Sequence, residues 1–125
     1  EYDVQDAIHA LLRLHFDDVR PEENVPSYAG SRTRLDFLLK REKTIIETKM
    51  TRDGLGQRKL VEELNNDKAH YRRHPDCEAL VCFVYDPDGR VDNPAALETD
   101  LAGTEAGLTT TVVVAPTVTD VGAST

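Results

Sequence analysis

Apolar positions recur at helical spacing over residues 2–16. Val4, Ile8, Leu11, Leu12 and His15 fall on one stripe, and Ala7 and Leu14 widen it. Asp3 supplies an N-cap or a first-turn acid. Pro21 and Pro26 bracket a short extended stretch, roughly 18–25, that reads as an edge strand, followed by a loop over 27–31 around Gly30. Two apolar runs at 34–39 and 44–50 flank the polar segment Lys40, Arg41, Glu42, Lys43, which is the signature of a hairpin. Asp53, Gly54 and Gly56 mark a loop. A second helix is predicted over 57–73, with Leu60, Leu64 and Tyr71 on one face and Pro75 as its stop. Residues 79–85 are apolar throughout, as in a strand buried on both faces. Asp86, Pro87, Asp88 and Gly89 form a turn, Asn93 caps a third helix over 94–102, and 110–115 make a last strand.

The order is helix, three strands, helix, strand, helix, strand. It predicts an α/β fold with a central mixed sheet flanked by helices. The crossover from 44–50 through 57–73 to 79–85 is a βαβ unit, expected parallel and right-handed. Residues 1–115 are expected to form one domain, and 116–125 a loosely ordered tail or the start of a linker.

Composition narrows the classes. An apolar fraction of 39% and a charged fraction of 30% fit an ordinary globular domain. No apolar run approaches the roughly 18 residues that span a bilayer, and the given residues show no basic-then-apolar leader pattern, so no membrane partner and, by default, a cytoplasmic location are expected. The chain opens without an initiator Met, directly on a helical pattern, and is expected to be a module of a longer protein or one with a trimmed start. Cys77 and Cys82 make no disulfide framework, and Cys82 reads as a small buried hydrophobe. The net charge of -8 argues against a chain whose main task is gripping nucleic acid nonspecifically. The cations are unevenly spread, however. Arg32, Arg34, Lys40, Arg41, Lys43, Lys49, Arg52, Arg58 and Lys59 crowd the middle of the chain and allow a basic face on an acidic protein.

The hairpin carries the chemistry. With its turn centred between Arg41 and Glu42, Leu39 faces Thr44, Phe37 faces Ile46, and Asp36 faces Glu47. Opposed side chains lie about 5 Å apart on one face, and two carboxylates placed so are destabilising unless something offsets them. A divalent cation does this most simply. Lys49 lies two residues beyond Glu47 and projects to the same face, along with Leu38 and Ile45, while Phe37 and Ile46 point the other way. A cation there polarises a phosphoryl oxygen and makes a bound water acidic. Lys49 is placed to orient or deprotonate that water, or to stabilise charge on phosphorus. Spacing alone leaves a second reading, a solvated strand face with a cross-strand ion pair.

Asp36 followed on the next strand by Glu47, Thr48 and Lys49 resembles the PD-(D/E)XK nuclease superfamily, the fold of many restriction endonucleases. Leu35 stands where that motif has proline. The resemblance is closest to restriction-endonuclease-like modules fused to bacterial defence proteins. It is carried by Asp3, Val4, Gln5, Asp6 and Ala7; by Arg34, Leu35, Asp36 and Phe37; by Glu47, Thr48, Lys49 and Met50; by His74 and Pro75; and by Phe83, Val84, Tyr85, Asp86 and Pro87. It implies that Asp36, Glu47 and the Thr48 carbonyl bind Mg²⁺ (or Mn²⁺) and that Lys49 is catalytic. It also implies an additional metal-binding acid from the first helix, Glu1 first and Asp6 second. The function it implies is metal-dependent DNA endonuclease, acting as an effector in anti-phage defence or restriction. Fused regulatory domains and a homo-oligomer are expected partners. A catalytically silent nuclease-fold module for binding or assembly, and an RNA-directed nuclease, are the alternatives.

Other residues carry less. Arg34 and Gln57 are candidate substrate contacts, against the plainer readings of an edge-strand charge and a helix N-terminal polar residue. Glu22 and Glu23 read as solvent-facing acids, with support of a metal shell the other option. His70 and His74, four apart with Cys77 nearby, lack the further ligands of a zinc site and read as a helix surface. His9 and His15 read as structural or solvated, and the turn at Asp86 lacks a calcium loop's ligand pattern.

Overall fold

A computed structural model describes residues 2–23, 35–53 and 56–116. Its elements are α1 (Tyr2–His15), β1 (Val19–Glu23), β2 (Leu35–Leu39), β3 (Thr44–Met50), α2 (Gln57–Tyr71), β4 (Ala79–Tyr85), α3 (Pro94–Leu101), β5 (Gly103–Glu105) and β6 (Leu108–Ala115). One six-stranded mixed sheet runs in the order β1-β2-β3-β4-β6-β5. β1, β2 and β3 are successive antiparallel neighbours, β3, β4 and β6 are parallel, and β5 closes antiparallel on β6. This is the α/β arrangement of a central mixed sheet with flanking helices that the element order predicts.

The sequence order of elements does not include β5. Gly103, Thr104 and Glu105 are all exposed and none is a large apolar residue, so no hydrophobic pattern announces it. The turn that creates it, Ala106 and Gly107, has both residues at positive φ (51° and 84°), the conformation that suits a two-residue hairpin. Elsewhere local chemistry sets the ends. Asn93 Oδ1 accepts the Ala96 N–H at 3.0 Å, and Pro94 starts α3 where a missing N–H costs nothing. Pro21 is tolerated because β1 is an edge strand.

The two faces of the sheet differ. On one, Leu80, Cys82 and Val84 of β4 and Leu108, Val112 and Val114 of β6 are buried. α2 and α3 cover them through Leu60, Leu64, Leu97 and Leu101. Tyr71 and Cys77 close a second cluster over Leu38, Ile45, Leu80 and Leu108. On the other face α1 stacks the His9 ring on Phe37, with centroids 4.7 Å apart. That contact leaves much of the predicted α1 stripe uncovered. Leu11 and Leu14 are 55% and 77% exposed, and on β6 Val113 is 41% exposed.

Candidate active site

β2 and β3 form the predicted hairpin, with Leu39 opposite Thr44 and Phe37 opposite Ile46. The ladder then stops. Asp36 and Glu47, expected as the next directly opposed pair, lie just beyond its last pair, while β2 stays paired to β1 as far as Leu35. The β2–β3 ladder thus ends one residue short of the two carboxylates. The Thr48 backbone stands in this unladdered stretch of β3 relative to β2.

From β3 outward the two rows that start on a charged residue run from polar to apolar. Glu47 pairs with Cys82 and then Val112, and Lys49 pairs with Val84 and then Val114. Asp36, Glu47 and Lys49 are all buried, with 1%, 0% and 2% of their surface exposed. Burial on this scale requires partners for each charge.

α2 supplies many of them. Tyr71, itself fully buried, donates its hydroxyl to Asp36 Oδ2 at 2.5 Å. Lys49 Nζ lies 2.8 Å from Asp67 Oδ2 and 3.0 Å from Glu63 Oε1. Glu63, Asp67 and Tyr71 are spaced four apart, so one stripe of α2 meets both Asp36 and Lys49. Sequence reasoning missed Glu63 and Asp67. A signal was present, since Asp67 falls on the same inward stripe as Leu60, Leu64 and Tyr71, where a carboxylate needs a buried partner.

Cys82 is buried as expected, but it is not merely apolar filling. Burial pushes its thiol well above the usual range, and the charges of Glu47 and Asp67, a hydrogen bond with Glu47 and the charge of Asp36 push it further. One buried thiol thus senses three carboxylates at once.

The other candidates are placed as follows. Glu1, Arg32 and Arg34 lie outside the described residues. Asp6 is exposed on α1, and α1 packs by way of His9 on Phe37, the strand neighbour of Asp36 that points to the opposite face. Gln57 begins α2, and its Oε1 accepts the Asp92 N–H at 2.9 Å, tying that helix to the approach of α3. Glu22 pairs with Asp36 in the β1–β2 register. His74 Nδ1 accepts the Asp76 N–H, and His70 sits edge-on to Tyr71. Asp86 is buried and takes hydrogen bonds from Thr51 Oγ1 and from the Arg90 and Val91 N–H groups, which makes it an anchor for the turn. Burial alone would raise its pKa. The bonds from Thr51, Val91 and Arg90 and the Arg90 charge outweigh that and hold the carboxyl below its usual range.

The expected basic face is partly neutralised. At the β2–β3 turn Lys40 pairs with Asp76, Arg41 with Asp17 and Lys43 with Glu78. Arg52, Arg58 and Lys59, between the end of β3 and the first turn of α2, are exposed.

Hard carboxylate oxygens from Asp36 and Glu47, buried on one face just past the end of the β2–β3 ladder, suit an oxygen-preferring divalent cation in type and sign. Among the described residues no three His, Cys, Asp or Glu side chains already stand at ligating spacing. Glu63 and Asp67 are turned to Lys49.

A family model described as REase_DpnII-MboI matches residues 1–117. No match is found among curated proteins or among solved structures.

Proposed function

We propose, from the premise that this chain belongs to the DpnII-MboI restriction endonuclease family, that it hydrolyses DNA with a divalent metal held by Asp36 and Glu47. Membership makes it a nuclease of the endonuclease class with DNA as substrate. The reading of its own site rests on one observation above the others. Two carboxylates and a lysine are buried together on one sheet face, just beyond the last pair of the β2–β3 ladder.

Asp36 and Glu47 would hold the metal, joined by the Thr48 carbonyl and by an acid such as Glu1. Mg²⁺, or Mn²⁺ in its place, supplies charge that polarises a phosphoryl oxygen and acidifies water. Lys49, held in place by Asp67 and Glu63, stabilises the negative charge growing on phosphorus. Arg52, Arg58 and Lys59, together with Arg34, hold phosphates of the DNA backbone. In the described conformation the three central side chains have almost no exposed surface, so a phosphate reaches Lys49 only after a change of conformation. Residues 1–115 would be the nuclease domain and 116–125 a tail or linker. The chain would work in the cytoplasm as the effector of a restriction or anti-phage protein, with associated domains or further copies providing control.

The closed site also favours a second reading, a module that binds or assembles without cutting. A plasmid assay separates the two. Wild-type protein should nick or linearise plasmid with Mg²⁺ or Mn²⁺ and not with EDTA, while Asp36→Ala and Glu47→Ala should lose all detectable cleavage. Full cleavage by Glu47→Ala would sink the site. A folded wild type that is inert with every metal and activating partner would favour the silent module.

A further inference from the structure

We propose that Tyr71 is a positioning residue for metal binding, acting through Asp36. This rests on the reading of Asp36 as a metal ligand and names a residue that the reading does not require. Tyr71 is the last residue of α2, lies 35 positions from Asp36 in the chain, and has no exposed surface. Its ring belongs to the core around Leu38, Ile45 and Leu80, which explains an aromatic residue there but not a phenol. A phenylalanine would fill the same space without the cost of burying a hydroxyl. The hydroxyl instead donates to Asp36 Oδ2.

That bond fixes the plane of a carboxylate that lies just beyond the last β2–β3 pair, on backbone that is still laddered to β1. Asp67, one turn earlier on the same stripe, holds Lys49, so the orientation of α2 sets ligand and lysine together. Hydrogen-bond partners behind metal ligands typically contribute about 10- to 100-fold in affinity or activity.

The test is calorimetric titration of the full chain with Mn²⁺ alone, without DNA, on wild type, Asp36→Ala and Tyr71→Phe. Tyr71→Phe should bind Mn²⁺ about 10-fold or more weakly than wild type while melting cooperatively in EDTA. It should need correspondingly more Mg²⁺ for half-maximal cleavage, with a smaller loss of rate at saturating metal. In the wild type, isotope-labelled tyrosine should report the same event, with the Tyr71 ring resonance moving at the midpoint of Mg²⁺ binding. Wild-type affinity in Tyr71→Phe, alongside lost binding in Asp36→Ala, overturns this proposal and leaves the site intact. Undiminished binding in Asp36→Ala overturns the reading of the site itself, and the role of Tyr71 with it. Should Tyr71→Phe not fold, a Tyr71 resonance that stays put through the Mg²⁺ titration overturns the proposal by itself.

Discussion

Helices α1 and α2 lie on opposite faces of the same sheet, and each presents a stripe to it. The α1 stripe is the more regular in sequence, yet it makes the poorer contact, a His9 stack on Phe37 with Leu11 and Leu14 left in solvent. The α2 stripe is interrupted by acids, yet Leu60, Leu64, Asp67 and Tyr71 are all buried. Periodicity reports that a helix has a face, and not how closely that face is covered. Coverage depends on the element opposite. Beneath α2 stand the large buried residues of β4 and β6 together with the charges of β2 and β3. The acids of α2 are therefore part of how the helix docks, because Lys49 and Asp36 would be buried at high cost without Asp67 and Tyr71.

The sharpest way to break this comparison is to remove the charge at the centre of the α2 face. Lys49→Ala should reduce cleavage by about 100- to 1000-fold, the range for losing one preorganised donor to a transition state. It should also destabilise the chain by about 3 to 5 kcal/mol, because Asp67 is left in the interior without its ammonium. Urea melts measure the second effect. Pairing Lys49→Met with Asp67→Leu should cost less than the sum of the single changes, since both charges then leave together. Strict additivity would mean that α2 does not dock through this pair.

Leu64→Ala tests the apolar half of the same face. Leu64 is 1% exposed within the cluster formed with Cys82, Val84 and Val112. Truncation should cost about 2 to 5 kcal/mol, the span that depends on how far such a site collapses. If the strand and helix parts of the site share this support, the Mg²⁺ needed for half-maximal cleavage rises as well. A loss of stability below about 1 kcal/mol would put α2 among the loosely held elements.

How much of this was legible in the chain follows the range of each interaction. The β2–β3 hairpin, the all-apolar β4 and the Asn93 cap depend on neighbours in sequence, and each stands where its pattern put it. Asp36, Glu47 and Lys49 on one face follow from the alternation of a strand, which is also local. The partners of those residues are not local. Tyr71 reaches Asp36 across 35 positions, and Cys82 meets Glu47 only because β3 and β4 are in one particular parallel register. The expected facing pair of carboxylates needed the ladder to continue one step further than it does. The exposure of Leu11 and Leu14 was hidden because no described element covers them, which no stripe encodes, and β5 because its turn at Ala106 and Gly107 creates it without a hydrophobic pattern.

The smallest expected effect sharpens the comparison from the α1 side. Leu14→Lys replaces a 77% exposed leucine near the end of α1. Leucine and lysine have similar helix propensity, and a cation in a last turn that already holds Arg13 and His15 faces the negative end of the helix dipole. Little apolar surface leaves a covered environment, so the change in stability should stay within about 0.5 kcal/mol. The same substitution at Leu64 would place an ammonium in the core, so the two positions together measure how differently the faces are covered. A loss above about 1.5 kcal/mol at Leu14 would show that α1 is covered in solution. Repeating the urea melt over a range of protein concentrations then identifies the cover, because stability that rises with concentration belongs to contact between copies.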